Sequence, residues 1–148
     1  MMDDLVFQKG SINDLETCLK FDKHINPKFL TWKLLNEEIF LALNKKEIIG
    51  YLRLEYIWTT HPFIGLIILK QEFRGKQIGK NMLEFLEEQL RLKGQKKLYS
   101  SSQANETAPQ QWHIKMGFNA CGIINGMNEN EIGEVFFCKI LQVHEIKL

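Results

Sequence analysis

A basic, glycine-containing stretch near the middle of the chain has the residue types that best suit chemistry. It consists of Arg74, Gly75, Lys76, Gln77, Ile78, Gly79 and Lys80. An apolar run precedes the stretch and a helical pattern follows it, so these residues open a helix. The first turn of a helix leaves amides without partners and carries about half a positive charge. Because glycines admit phosphates close to the main chain, the stretch predicts an anion site suited to a diphosphate.

The same stretch has an alternative interpretation as an ordinary strand–turn–helix corner with solvated lysines, because a glycine-rich loop alone is weak evidence. The pattern GxxxxGK[ST] of P-loop nucleotide sites is absent from the sequence. No serine stands in a GxSxG context, which argues against a serine nucleophile of the hydrolase type.

The elements around the stretch follow from hydrophobic periodicity. Residues 63–69 are continuously apolar, as in a strand covered on both faces, and Gly65 within them indicates a bulge or a close approach. After the basic stretch, apolar residues recur at helical spacing. A second helical stripe joins Ala108, Trp112 and Met116, which predicts that Trp112 is a core residue.

The order of elements predicts the fold class. Along the chain it is strand, two helices, three strands, helix, strand, helix and two strands. Asn13 or Asp14 can cap the first helix, Pro27 suits the first turn of the second, and a polar turn at residues 44–47 makes a hairpin. Since no linker or repeat interrupts this order, we expect one α/β (α+β mixed sheet) domain over residues 1–148.

The bulk composition limits the partners. With 19 basic and 18 acidic residues the net charge is +1, which argues against a nucleic-acid partner. The three cysteines are widely spaced, so we expect no metal site and a reducing cytoplasm. The N-terminus is acidic where a signal peptide would be basic, and no apolar run is long enough to cross a bilayer. We therefore expect a cytoplasmic protein without a membrane partner.

Two segments resemble the motifs of the GNAT (GCN5-related) N-acetyltransferase superfamily. The stretch from Arg74 to Gly79 resembles its diphosphate loop, Arg/Gln-x-x-Gly-x-Gly/Ala, although Gln77 replaces the middle glycine. Downstream, Asn105 and the run Trp-His-Ile-Lys-Met-Gly-Phe at residues 112–118 resemble the family's second conserved segment. The resemblance implies a central, mostly antiparallel twisted sheet of about seven strands flanked by about four helices.

The resemblance also implies how a cofactor binds. Acetyl-CoA is the expected co-substrate, with its diphosphate on the amides of the basic stretch and Lys80 nearby. The pantetheine arm would pair with the strand before the loop, at Ile67, Ile68 and Leu69. Asn105 would hydrogen-bond the same arm, and a helix cap is its alternative role.

Two side chains are candidates for catalysis. His113 occupies the position of the family's tyrosine, which protonates the departing thiolate, and histidine can donate a proton near neutral pH. A structural histidine is the alternative. The acceptor amine must be neutral to attack, so a base is required. Glu55 is the preferred base and His61 the second candidate, while Tyr51, Arg53, Tyr56, Trp58 and Trp32 are candidates for lining the acceptor cleft.

The expected activity is N-acetyl transfer to a primary amine of a small molecule or peptide, by direct attack in a ternary complex. The alternative function is a non-catalytic CoA-binding or interaction module that keeps the fold. The departures at Gln77 and His113 motivate that alternative. A homodimer is a possible assembly, since dimers are common among such folds.

Overall fold

Seven strands and four α-helices make up the part of the chain that the computed structural model describes, residues 4–142. The strands are β1 (Leu5–Lys9), β2 (Ile39–Asn44), β3 (Glu47–Ile57), β4 (His61–Leu69), β5 (Lys97–Gln103), β6 (Asn119–Ile124) and β7 (Glu134–Ile140). The helices are α1 (Leu15–Phe21), α2 (Pro27–Leu35), α3 (Ile78–Leu92) and α4 (Thr107–Lys115).

The strands form a sheet in the order β1–β2–β3–β4–β5–β7–β6. The pairs β1–β2, β2–β3, β5–β7 and β6–β7 are antiparallel, and β4 pairs with β5 in parallel, with Phe63 opposite Tyr99. The predicted mixed α/β fold class, with seven strands and four helices, is confirmed.

The chain divides into two compact units. The first contains the residues up to Glu55 together with Gly65–Leu86, and the second contains Tyr56–Ile64 and the residues from Glu87 onward. Strand β4 and helix α3 each begin in one unit and end in the other. That residues 1–148 form a single domain stays a prediction.

The first unit has a core between the β1–β2–β3 strands and the helices α1 and α2. Its fully buried members include Cys18, Leu30, Ile39, Leu41 and Tyr51. Helix α2 begins where the sequence predicts, because the Asn26 side chain accepts a hydrogen bond from the Lys28 amide at 2.8 Å and Pro27 lies in the first turn. Further along α2, Lys33 Nζ donates to Leu54 O at 2.6 Å, which ties the helix to β3, the strand of the candidate base.

The second unit is built on the β5–β7–β6 strands and helix α4. The predicted α4 stripe is wrong in detail, since Trp112 is only half-buried and Ala108 is exposed. The buried residue of α4 is His113, whose ring stacks on Phe137 at a centroid distance of 4.4 Å. The buried face of α4 is therefore shifted by about one position in the sequence, from the predicted face of Trp112 to the face of His113.

Strand β4 differs from the expectation of a strand covered on both faces. Ile64 is buried, but residues 65–69 are all partly exposed. The expected close approach at Gly65 is confirmed: a β-carbon there would lie 2.7 Å from Glu55 Cγ and 2.8 Å from Arg53 Nη1. Only glycine leaves room on β4 for this pair of charged side chains.

Candidate functional site

The basic stretch follows β4 through a short 3₁₀ turn at Gln71–Phe73. The Arg74 amide donates to Gln71 O at 3.1 Å, and Arg74 Nε donates to Leu69 O at 3.1 Å, which ties the loop to the end of the strand. Gly75 and Gln77 both have positive φ, at 77° and 63°. Such alternation of backbone conformation is typical of concave sites that bind anions through main-chain amides.

Six consecutive amides of this loop, those of residues 75–80, donate no hydrogen bond within residues 4–142. The first hydrogen bond of α3 runs from the Asn81 amide to Gln77 O at 3.1 Å, so the amides before Asn81 precede the helical ladder. The helix behind them has 15 residues, long enough to develop the full dipole. The amides and the dipole together favour a bound anion.

Gln77 replaces the glycine expected at the middle of the loop, yet its backbone adopts the left-handed conformation that glycine adopts most readily. Its side chain is exposed to solvent. The substitution thus costs backbone strain of about 1 kcal/mol, but it keeps the geometry of the loop.

The loop carries positive charge at its surface. Arg74, Lys76 and Lys80 are all exposed, and Lys76 Nζ lies 5.7 Å from the centre of the Phe73 ring. Lys70, by contrast, is paired with Glu47 at 2.6 Å. The three exposed cations add formal charge to the partial charge of the free amides.

Ile67, Ile68 and Leu69, the predicted partners of a pantetheine arm, are half-buried on the β4 segment that leads into the loop. The parallel ladder between β4 and β5 has its register pair at Phe63 and Tyr99, before this segment.

Glu55 belongs to a group of polar side chains that we call the β3 polar cluster. Its members are Asp22, Lys33, Glu38, Tyr51, Arg53 and Glu55. Arg53 Nη1 donates to Glu55 Oε1 at 2.7 Å, and Lys33 Nζ lies 3.2 Å from the same oxygen. The Glu55 side chain is 35% exposed, so solvent reaches a carboxylate that two cations hold in place.

The other end of Arg53 is held by buried groups. Its Nε donates to Asp22 Oδ2 at 2.7 Å, and the Tyr51 hydroxyl donates to that oxygen at 2.6 Å. Burial acts to lower the pKa of Arg53, but the hydrogen bonds to Glu55 and Asp22 outweigh it and raise the pKa above its ordinary value. Burial, followed by the bond to Asp22, also raises the pKa of Tyr51, which keeps the hydroxyl protonated.

This arrangement changes the expected cleft lining. Tyr51 is fully buried and points its hydroxyl to Asp22, so it does not line an open surface. Trp32 and Trp58 are exposed, and Arg53 is half-buried. His61, the second candidate base, has Nδ1 2.8 Å from Thr60 Oγ1 and its ring 5.7 Å from that of Trp58.

His113 is buried, with 4% of its surface exposed. Its Nδ1 donates to Pro109 O at 2.7 Å, and its Nε2 lies 2.7 Å from the buried Ser100 hydroxyl. Burial lowers the pKa of His113, although the bond to Pro109 and the charge of Glu134 act in the opposite direction. The ring is therefore neutral near pH 7, and Nε2 accepts a hydrogen bond from Ser100.

Asn105 is exposed in the turn before α4. The alternative role of helix cap belongs instead to Glu106, which holds the N-cap position without a side-chain hydrogen bond. The side-chain amide of Asn105 has no hydrogen-bond partner among the described residues.

The first unit contains the basic loop, residues 67–69 and Glu55, while Asn105 and His113 belong to the second unit. Sequence reasoning missed Lys33 as a partner of Glu55 and Asp22 as a partner of Arg53. The period-two spacing of Tyr51, Arg53 and Glu55 places them on one face of β3, but no sequence signal joins Asp22 to that face.

No three His, Cys, Asp or Glu side chains in residues 4–142 gather closely enough to hold a metal ion. None of the helices in that range combines the length and hydropathy of a membrane span.

Comparison with known proteins gives a match to one family. The model of the acetyltransferase (GNAT) family matches residues 11–118, well over half of the chain. No curated protein matches the sequence significantly.

Solved structures share the fold over nearly the whole chain. A ribosomal-protein-S18-alanine N-acetyltransferase from Escherichia coli has a TM-score of 0.79 and 14% identity, and the match covers 97% of this chain and 98% of that chain. An IAA acetyltransferase from Bacillus cereus has a TM-score of 0.75 and 17% identity, and the match covers 93% of this chain and 99% of that chain.

A chain of the NatC complex, solved with a Gag peptide and CoA, has a TM-score of 0.78 and 15% identity. The match covers 94% of this chain and 99% of that chain. At these identities the three structures are evidence for the fold alone.

Proposed function

The chain belongs to the GNAT acetyltransferase family, and on that premise we propose that it transfers the acetyl group of acetyl-CoA to a primary amine. The acceptor is a small molecule or a peptide. The solved structures of similar fold include a ribosomal-protein-S18-alanine N-acetyltransferase, which is named for a protein acceptor.

The observation that carries the proposal is the set of six free amides at residues 75–80, beside three exposed cations. They suit the diphosphate of CoA, which carries negative charge and accepts hydrogen bonds from main-chain donors. The pantetheine arm lies along Ile67, Ile68 and Leu69 in this proposal, and the free side-chain amide of Asn105 hydrogen-bonds the arm.

The transfer needs one base and one acid. Glu55 accepts the proton of the acceptor ammonium, directly or through water, and the amine lone pair attacks the thioester carbonyl carbon. A C–N bond forms, and the C–S bond breaks with its electron pair leaving on the CoA sulfur. The nitrogen releases its second proton to water as the tetrahedral intermediate collapses. His113 is the predicted donor of the proton that the thiolate takes up, and the substrates react directly in a ternary complex.

The test is a transfer assay that detects the product itself. The protein is incubated with acetyl-CoA and a panel of amines: an alkyl amine, a polyamine, an aryl-alkyl amine and peptides with free N-termini. We expect at least one amine to gain one acetyl group by mass spectrometry, with heat-unfolded protein as the control. Mass detection avoids thiol reagents, which would react with the exposed Cys121.

A second function, a CoA-binding module without catalysis, is favoured by one observation: both ring nitrogens of His113 already have partners inside the fold. That function predicts binding of acetyl-CoA with no acetylated product from any amine. Absence of both binding and product would contradict both functions.

A further inference from the structure

The closest contacts of Glu55 with cations fall on one of its two oxygens. Arg53 Nη1 and Lys33 Nζ both contact Oε1, at 2.7 and 3.2 Å. Within the described residues, Oε2 accepts no hydrogen bond. Two cations closest to Oε1 orient the carboxylate, and they leave Oε2 without a hydrogen bond.

Arg53 is itself held by a group that has little access to water. Asp22, with 4% of its side chain exposed, accepts from Arg53 Nε and from the Tyr51 hydroxyl on the same oxygen. Charge-assisted hydrogen bonds of this length fix the plane of a guanidinium. Because Asp22 holds the Nε side of the guanidinium, its position determines where Nη1 meets Glu55.

Lys33 completes the arrangement from helix α2. Its Nζ donates to Leu54 O at 2.6 Å and to Glu38 Oε1 at 3.0 Å, besides its contact with Glu55. With three acceptors around one ammonium, Lys33 is fixed in place and cannot follow Glu55 if that side chain rotates.

Gly65 of β4 closes the remaining side. A β-carbon at this position would meet both Glu55 and Arg53 at less than 3 Å, and its φ is not in the positive range. A side chain at position 65 would thus displace the pair for steric reasons alone, without backbone strain.

We propose that Asp22 and Gly65 are positioning residues for acetyl transfer, which hold Arg53 so that Glu55 presents Oε2 to the acceptor amine. The inference rests on the proposed function, in which Glu55 is the base. Asp22 is buried, and it acts through Arg53 and Glu55.

The test compares Asp22→Asn and Gly65→Ala with the wild type in the transfer assay. Asp22→Asn keeps the shape but removes the charge that holds Arg53, and Gly65→Ala moves the pair without removing any charge. We expect both to lower kcat by about ten- to a hundred-fold, as small misplacements of a catalytic group do. The acceptor KM and the affinity for acetyl-CoA should stay within about two-fold of the wild type.

Each variant has a matched control. Glu87 is another buried carboxylate, 3% exposed and paired with Lys139 at 2.7 Å, so Glu87→Gln removes a similar ion pair from another place. Gly122 has no atom within 4 Å of a β-carbon, so Gly122→Ala adds the same methyl group in open space. Both controls should keep the wild-type kcat, whatever they do to stability.

A double-mutant cycle separates positioning from structural damage. If Asp22 acts through Glu55, Asp22→Asn lowers kcat in the wild type but has no further effect in a Glu55→Gln background. The inference would be overturned if Asp22→Asn lowered kcat equally in both backgrounds. It would also be overturned if Asp22→Asn and Gly65→Ala both kept the wild-type kcat. In either case the proposed function would stand. A wild-type protein that transfers no acetyl group would instead reject the proposed function, and the inference with it.

Discussion

His113 is the residue at which family resemblance and local structure disagree most. The resemblance implies a proton donor, whereas the structure shows a buried ring with Nδ1 bound to Pro109 O and Nε2 accepting from Ser100. A neutral imidazole in this state has no proton to release at Nε2. The donor role therefore requires His113 to become protonated during the reaction, and it stays a prediction.

The stability of the fold should depend on pH through His113. Burial lowers the pKa of His113 in the folded state below the value of about 6.5 that histidine has in an unfolded chain. Below that pH the unfolded state binds more protons, so the free energy of unfolding decreases as the pH falls. Urea unfolding at about pH 7.5 and 5.5 measures this decrease in the free energy of unfolding. We expect the decrease to be larger for the wild type than for His113→Asn.

The exposed residue His24 supplies the control, and His24→Asn should keep the wild-type loss. An identical loss in His113→Asn would contradict the prediction. The same protein preparations test the donor role, which requires His113→Phe to lower kcat more than it lowers the affinity for CoA. An unchanged kcat would remove His113 from the mechanism.

Among the elements, the loop between β4 and α3 is the one whose role depends least on side chains. Residues 75–80 present main-chain donors, and Gly79, the second residue of α3, carries no side chain. A β-carbon at Gly79 would lie 3.8 Å from Leu69 Cδ1, an ordinary contact. The fold itself therefore does not require glycine at this position.

Gly79→Ala should separate stability from binding. Alanine is the better helix former, so we expect the free energy of unfolding to stay the same or to rise by up to about 1 kcal/mol. In the proposed binding mode the added methyl group crowds the diphosphate, so the affinity for acetyl-CoA should fall by about ten-fold or more.

Calorimetric titration and urea unfolding measure the two quantities, with Gly122→Ala as a control that changes neither the fold nor the loop. Unchanged affinity in Gly79→Ala would show that the diphosphate does not approach this turn.

Most elements could be predicted from periodicity and caps, because those signals are local. Asn26 and Pro27 mark the start of α2, and Gly65 marks a close approach. The burial of His113 could not be predicted, because it depends on Ser100 of β5 and Phe137 of β7. The Asp22–Arg53 pair spans 31 residues and needs the packing of α1 on β3, which no local pattern contains.

The molecule as a whole has almost no net charge, and its positive charge is placed locally. The formal charge is +1, yet the loop after β4 carries three exposed cations close together. Near-neutral proteins attract anions only through such local sites. We therefore propose that CoA binds through contacts of its diphosphate with the free amides of residues 75–80.

Titration of isotope-labelled protein with CoA, followed by amide NMR spectra, tests this claim most directly. We expect the amide resonances of residues 75–80 to shift most, with further shifts along residues 67–69. Pantetheine, which lacks the diphosphate, should leave residues 75–80 unshifted. CoA binding without shifts in that loop, or no binding at millimolar CoA, would contradict the account.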